Sequence, residues 1–262
     1  MPGLRITRFR SVVSLAAFIA TRYLDGLEFE SQGGSCEHFT CYMDVVPQGV
    51  TRQGEPRWPA LIAMLAVGGI FYSLPPALKV GPDWLVLVVV VLLITPGTFL
   101  RRHGRYLPAQ IFGYAALGTV TLAMIASLVL LVLRLPLHKE TPAQLLRAAA
   151  ALWSSNVLVF ASWYWRLDAG GPHQRDLRES HTDGAFLFPQ MTLTHGLRKE
   201  MGEDQWSPHF VDYLFLAFNT STAFSPTDVP VLSRWAKALM MVQAAIALAT
   251  LAVLAARAVN IL

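Results

Sequence analysis

The chain has 262 residues, 54% of them hydrophobic and 15% charged, with a mean hydropathy of +0.44. A soluble domain of this size carries about a quarter charged residues because its surface must face water, so a water-soluble globule is excluded. The formal charge of +4 does not imply nucleic-acid binding either: basic residues such as Arg101, Arg102 and Arg105 sit at the ends of apolar runs, where they orient spans and snorkel to lipid headgroups.

Residues 1–56 read as a polar, amphipathic N-terminal extension. Arg5, Arg8 and Arg10 precede a short apolar run from Val12 to Ala20, the pattern of a signal-peptide core or a surface helix and too short to span. Cys36, His38 and Cys41 follow in C-E-H-F-T-C. A structural zinc site needs four ligands, so no metal is expected, and the two cysteines read as a local disulfide or free thiols. Met43 precedes a short polar lead-in, which makes the first 42 residues an extension dispensable to the fold.

Residues 59–78, 84–100, 106–133, 148–165 and 238–256 contain no Asp, Glu, Lys or Arg. A hydrocarbon core of about 30 Å takes roughly 20 residues of helix, so these runs predict five firm spans. The first runs from about Pro59 to Leu78, stopped at Pro75-Pro76. The second is Trp84 to Leu100, the third about Pro108 to Leu133, and the fourth Leu146 to Trp165, closing on Trp163, Tyr164 and Trp165. Residues 57–165 thus hold four transmembrane helices, 166–207 form a polar loop, and 208–262 hold a polar sixth segment at 208–225 that either crosses or re-enters, and the last helix, about Arg234 to Ala256. The loop 101–105 has three arginines and the first inter-helix loop only Lys79. The arginine-rich side is therefore expected in the cytoplasm, with the N-terminus.

The stretch from Asp212 to Asp228 carries the functional expectation. Asn219, Thr220, Ser221 and Thr222 sweep about 300° around a helix and cannot share one face. Either protein surrounds this helix, or it stops there and frees backbone toward a cavity. A plainer alternative has the hydroxyls bonding to carbonyls one turn back. Laid down without gaps, the stretch resembles the pore loop of tetrameric cation channels, with Asp212, Leu214, Phe215, Thr220, Thr222 and Asp228 on the corresponding positions. The resemblance lacks the filter glycines: Ser225 and Thr227 stand in their places around Pro226, so a potassium filter is not implied.

A second likeness rests on separate motifs. These are Arg57-Trp58-Pro59-Ala60; the run Asn156 to Asp168, N-V-L-V-F-A-S-W-Y-W-R-L-D; Gly170-Gly171-Pro172; F-L-F-P-Q-M from Phe186 to Met191; F-V-D-Y-L-F from Phe210 with T-A-F-S-P-T-D to Asp228; and the end A-A-R-A-V-N-I-L. Over roughly residues 57–262 the chain resembles an uncharacterised family of bacterial polytopic membrane proteins, which implies a helical bundle in a bacterial inner membrane and no particular activity.

Within the spans the uncharged polar residues include Asn156, Asn219 and Gln243, read as interhelical partners or as the lining of a hydrated pocket. His173, His181, His195 and His209 share the polar loop with several acids but lack metal-site or triad spacing. The expectation is an all-α, polytopic transmembrane bundle without catalytic residues, metal or cofactor. Its polar path is formed by Asn219, Thr220, Ser221, Thr222, Ser225 and Asp228. Its partners are the lipid bilayer and a second copy of itself; no other protein partner is identified. The competing expectation is a non-catalytic structural or partner-binding membrane protein using the 166–207 loop.

Overall fold

The computed structural model describes residues 54–134, 141–177, 184–202, 206–222 and 229–259. The chain divides into two compact units, 1–52 and 53–262, and the described residues belong to the second. Cys36, His38, Cys41, His181, Ser225 and Asp228 lie outside the described residues.

The described architecture is helical: α1 (Trp58–Ser73), α2 (Leu85–Arg102), α3 (Tyr106–Arg134), α4 (Pro142–Leu167), α5 (Pro172–Asp176), α6 (Pro189–Thr192), α7 (His195–Glu200), α8 (Phe210–Thr222) and α9 (Arg234–Val259). Among the described residues no strand forms, only an isolated antiparallel bridge between Phe186 and Val231. Four helices, α2, α3, α4 and α9, are long and apolar enough to cross a membrane.

The first expected span is shorter than its apolar run. A residue before proline is pushed to extended backbone, and Leu74, before Pro75, has φ −66° and ψ 148°. The helix therefore ends at Ser73, and Pro76 to Leu78 form a separate 3-10 turn. Its 16 residues reach about 24 Å, so beside the four long apolar helices the first expected span is the shorter one.

Helix α4 is the central pillar. Thr141 caps its N-terminus in a reciprocal box with Gln144, and Pro142 takes the first turn. Of its apolar window 61% is buried, against 6% for α2, which lies on the periphery. Ala148, Ala149, Leu152, Val159 and Ala161 pack on α8, α9, α1 and α3. At its C-terminal end the chain turns through Ala169, Gly170 and Gly171 at φ 50°, 79° and 91°. A Cβ on Gly171 would stand 2.8 Å from the Arg166 carbonyl oxygen, so glycine is required there by both conformation and space.

Helices α1 to α4 alternate in direction, which defines two ends. Arg57, Arg101, Tyr106 and Arg166 line one cavity, so α1 starts, α2 ends, α3 starts and α4 ends at this arginine-rich end. Helices α8 and α9 also start here: the Trp165 and Phe210 rings lie 5.9 Å apart, and those of Phe186 and Trp235 6.2 Å apart.

Helix α8 does not run to the opposite end. Its 13 residues extend about 20 Å. Near its tip, Ser221 meets Asn156 of α4, a residue about 21 Å short of the opposite end, where α4 starts at Pro142, at 1.5 Å per residue. By Pro230 the chain is back at the arginine-rich end. The Leu187 amide donates to the Pro230 carbonyl at 2.9 Å, and the Leu232 amide to the Ala185 carbonyl at 2.8 Å. The chain thus makes an excursion through α8 to mid-height, and Pro230 to Leu232 lie back at the end it left.

Candidate functional site

Two polar clusters hold this excursion in place, one at its tip and one at its base. At the tip, Asn156, Ser221 and Gln243 are each fully buried. The Gln243 side-chain amide, from α9, donates to the Ala217 carbonyl and to Ser221 Oγ, both at 2.7 Å. Its Oε1 accepts from the Tyr164 hydroxyl at 2.5 Å. Asn156 Nδ2 adds contacts to Ser221 Oγ at 3.4 Å and to the Gln243 carbonyl at 3.3 Å. The Trp153 indole donates to the Ser221 carbonyl at 3.4 Å, and its ring meets Phe218 edge-on. Three helices are thereby tied at one level through Gln243.

Uncharged interhelical hydrogen bonds in bilayers are individually small, about 0.6 kcal/mol on average. Removing a shared partner costs more, because buried donors and acceptors are left unmade. Gln243→Leu strands the Tyr164 hydroxyl and leaves Ser221 Oγ only its 3.4 Å contact with Asn156. Its expected cost is about 2 kcal/mol, read as a loss of stability in denaturation from mixed micelles, whereas Gln243→Glu should keep the Tyr164 bond.

At the base, charge is buried. Arg175 and Glu55 pair at 2.8 Å with side chains 2% and 3% exposed. The Arg175 guanidinium also donates to the carbonyls of Trp165 at 2.8 Å and Asp168 at 2.9 Å, and lies over the Tyr213 ring. The Trp165 indole donates to Glu55. Burial works against the Arg175 charge, but Tyr213, Glu55 and Asp168 outweigh it and hold the group above its ordinary range. It therefore stays charged.

Asp168 completes the base. Its Oδ2 accepts from the Tyr213 hydroxyl of α8 at 2.6 Å, and its Oδ1 from the Ala185 amide at 2.5 Å. Gly184 packs on the carboxylate; an added Cβ would sit 3.2 Å from both oxygens. Outside this core, Asp176 pairs with Arg57 at 2.6 Å and accepts from the Glu55 amide at 3.0 Å. Phe186 and Phe188 are buried against Tyr213, so the apolar patch in the long connection caps the bundle.

The structure separates the four polar residues of α8. Ser221 faces inward and joins Asn156 and Gln243. Thr220 and Thr222 bond backward to the carbonyls of Leu216 and Asn219. Asn219 is half-buried and lies outside the tip cluster. An uncovered flank of α8 runs beside it, with Val211, Phe215 and Phe218 at 62%, 55% and 46% exposure. The connection 166–207 is not solvated throughout, since Asp168, Arg175, Ala185, Phe186 and Phe188 are buried.

Sequence reasoning missed Glu55, Asp168, Arg175 and Tyr213 as a site, although motifs it singled out contain or flank them. Of the histidines, His173 stacks on Tyr106 at 3.9 Å, and the His209 ring contacts the Ser207 carbonyl. Among the described residues no group of three or more His, Cys, Asp or Glu is placed to hold a metal ion. Comparison with protein families, with curated proteins and with solved structures finds no match.

Proposed function

We propose that this is a channel- or transporter-like membrane protein in which α4, α8 and α9 form a helix, re-entrant hairpin, helix module. The observation that carries the reading is the excursion of α8 to mid-height with return to the same end. Backbone that leaves a helix inside the bilayer persists only where protein covers it or water reaches it. The likeness of residues 212–228 to a pore loop supports the same reading. On this view there are five crossings, by α1 to α4 and α9, in a bacterial inner membrane. The arginine-rich end is cytoplasmic, as the positive-inside rule implies, and α9 ends on the opposite side. The path runs along the outer flank of α8, past Asn219 and Thr222 toward Ser225 and Asp228, and is closed by a second copy of the chain. Ser221 anchors the hairpin rather than lining the path.

Two measurements test it. In a background free of Cys36 and Cys41, single cysteines at Val211 and Leu232 should react with a membrane-impermeant maleimide from the same side. Reaction from opposite sides would discard the hairpin. In reconstituted protein that conducts, Asn219→Leu should reduce conductance severalfold, and an unchanged conductance removes the path from α8.

A non-catalytic, partner-binding role is the second reading, favoured by the satisfaction of Thr220, Ser221 and Thr222 within the protein, the threonines inside α8 and Ser221 by Gln243. The contact surface would then be the exposed part of the long connection, where Leu197 and Met201 are 45% and 60% exposed.

A further inference from the structure

At the arginine-rich end, α1 to α4 enclose a cavity of about 90 Å³ that belongs to neither polar cluster. Three guanidinium-bearing side chains line it: Arg57 before α1, Arg101 at the end of α2 and Arg166 at the end of α4. Charge is unbalanced here. The acids of the base are committed: Glu55 to Arg175, Asp168 to Tyr213 and Ala185, and Asp176 to Arg57. The charged neighbours of Arg166 are Arg101 and Arg57, both of its own sign. Among the described residues neither Arg166 nor Arg101 has an ion pair, and Arg166 Nε is buried without a hydrogen-bond partner.

The Arg166 head is nonetheless fixed. It lies directly on Gly113, where an added Cβ would come within 2.2 Å of Nη1. It lies over the faces of Tyr114 and Trp165, with its carbon 5.9 and 5.6 Å from their ring centroids. A guanidinium held by ring faces has its N–H groups free for an oxyanion, which the planar fork suits. Thr98, Gln110 and His173 add polar groups to the lining, and an apolar stretch of wall, Leu61, Leu93 and Ile94, lies one or more turns further into the bundle from the arginines.

We propose that this cavity binds the phosphate of an anionic phospholipid, with the arginines on the headgroup and an acyl chain along the Leu61 and Leu93 wall. Basic pockets between helices at the cytoplasmic interface are suited to such headgroups. A free phosphate offers the same oxyanion but has no use for the apolar wall.

The test uses the full chain purified in neutral detergent, with bound lipid counted by native mass spectrometry after exposure to phosphatidylglycerol or phosphatidylcholine. The wild type should retain phosphatidylglycerol roughly tenfold better. Arg166→Gln and Gly113→Ala should lose this preference, the second by displacing the guanidinium. Arg101→Gln, at an exposed side chain, should weaken it severalfold with the fold intact, while Arg147→Gln at the opposite end should not. Equal retention of the two lipids by the wild type, or an undiminished preference in Arg101→Gln, overturns the site. If inorganic phosphate raises the melting temperature of the wild type but not of Arg101→Gln while the two lipids bind equally, the ligand is a free oxyanion and the lipid assignment falls.

Discussion

Arg175→Met is expected to destabilise the bundle by about 3–5 kcal/mol, the cost of leaving a buried charge without its partner. The stranded charge is Glu55, whose side chain is 3% exposed. The Trp165 and Asp168 carbonyls lose the Arg175 donor in the same change, Asp168 keeping only the Gly171 amide. The attraction between the two charges is not what makes the pair costly to break. Desolvation consumes much of that attraction, and the penalty appears when one partner goes alone. The double variant Glu55→Gln, Arg175→Met should therefore recover a good part of the loss. Equilibrium unfolding of the four proteins in mixed micelles gives the coupling directly. A single variant within about 0.5 kcal/mol of wild type, the range of an ordinary surface change, would mean that Glu55 reaches water. Arg57→Gln is the comparison: its pair with Asp176 is partly exposed, and such pairs contribute about 0–1 kcal/mol.

The charge-free runs were legible as helices because a bilayer excludes charges from spans, and that rule is strict enough to survive reading one sequence. Where α1 stops was misjudged by a few residues. Apolar character continues through Leu78, but Pro75 imposes extended backbone on Leu74 before the apolar run is over. The base network could not be read in advance, because Glu55 and Arg175 are 120 positions apart. Each lies in a segment of mixed charge that resembles a solvated loop. The polar sweep from Asn219 to Thr222 was legible as a demand for protein or water, while helix rotation decided which residue met which. Ser221 turned inward, and the two threonines satisfied themselves within α8. The family-like motifs had no visible relation in the sequence. In the fold, Arg57, Asp168, Gly171, Phe186 and Tyr213 converge on the base of the excursion, which gives those stretches a common physical purpose in holding it.

Asp168→Ala should release that base while sparing the bundle. The carboxylate is the shared acceptor of Tyr213, in α8, and of the Ala185 amide, next to the strand-like pairing that receives the returning chain. Its loss strands two buried donors at about 1–3 kcal/mol each. The helices that span are tied elsewhere, and Gln243 still holds the tip. The expected consequence is therefore local opening of α8 rather than global unfolding. A cysteine at Ala217 reports this: the residue is fully buried where α8 meets α9, and in a background free of Cys36 and Cys41 but otherwise unchanged it should resist a water-soluble maleimide. In the Asp168→Ala background its labelling should accelerate at least about tenfold, since 1.4 kcal/mol of local destabilisation suffices for that factor if labelling follows the open population. Asp176→Ala, which removes only the outer pair, should leave the rate near wild type. If labelling at Ala217 is as slow with Asp168→Ala as without it, the hairpin is held by its tip alone. The buried charges at the base then serve the ends of α1 and α4, and the search for a path belongs at Gln243.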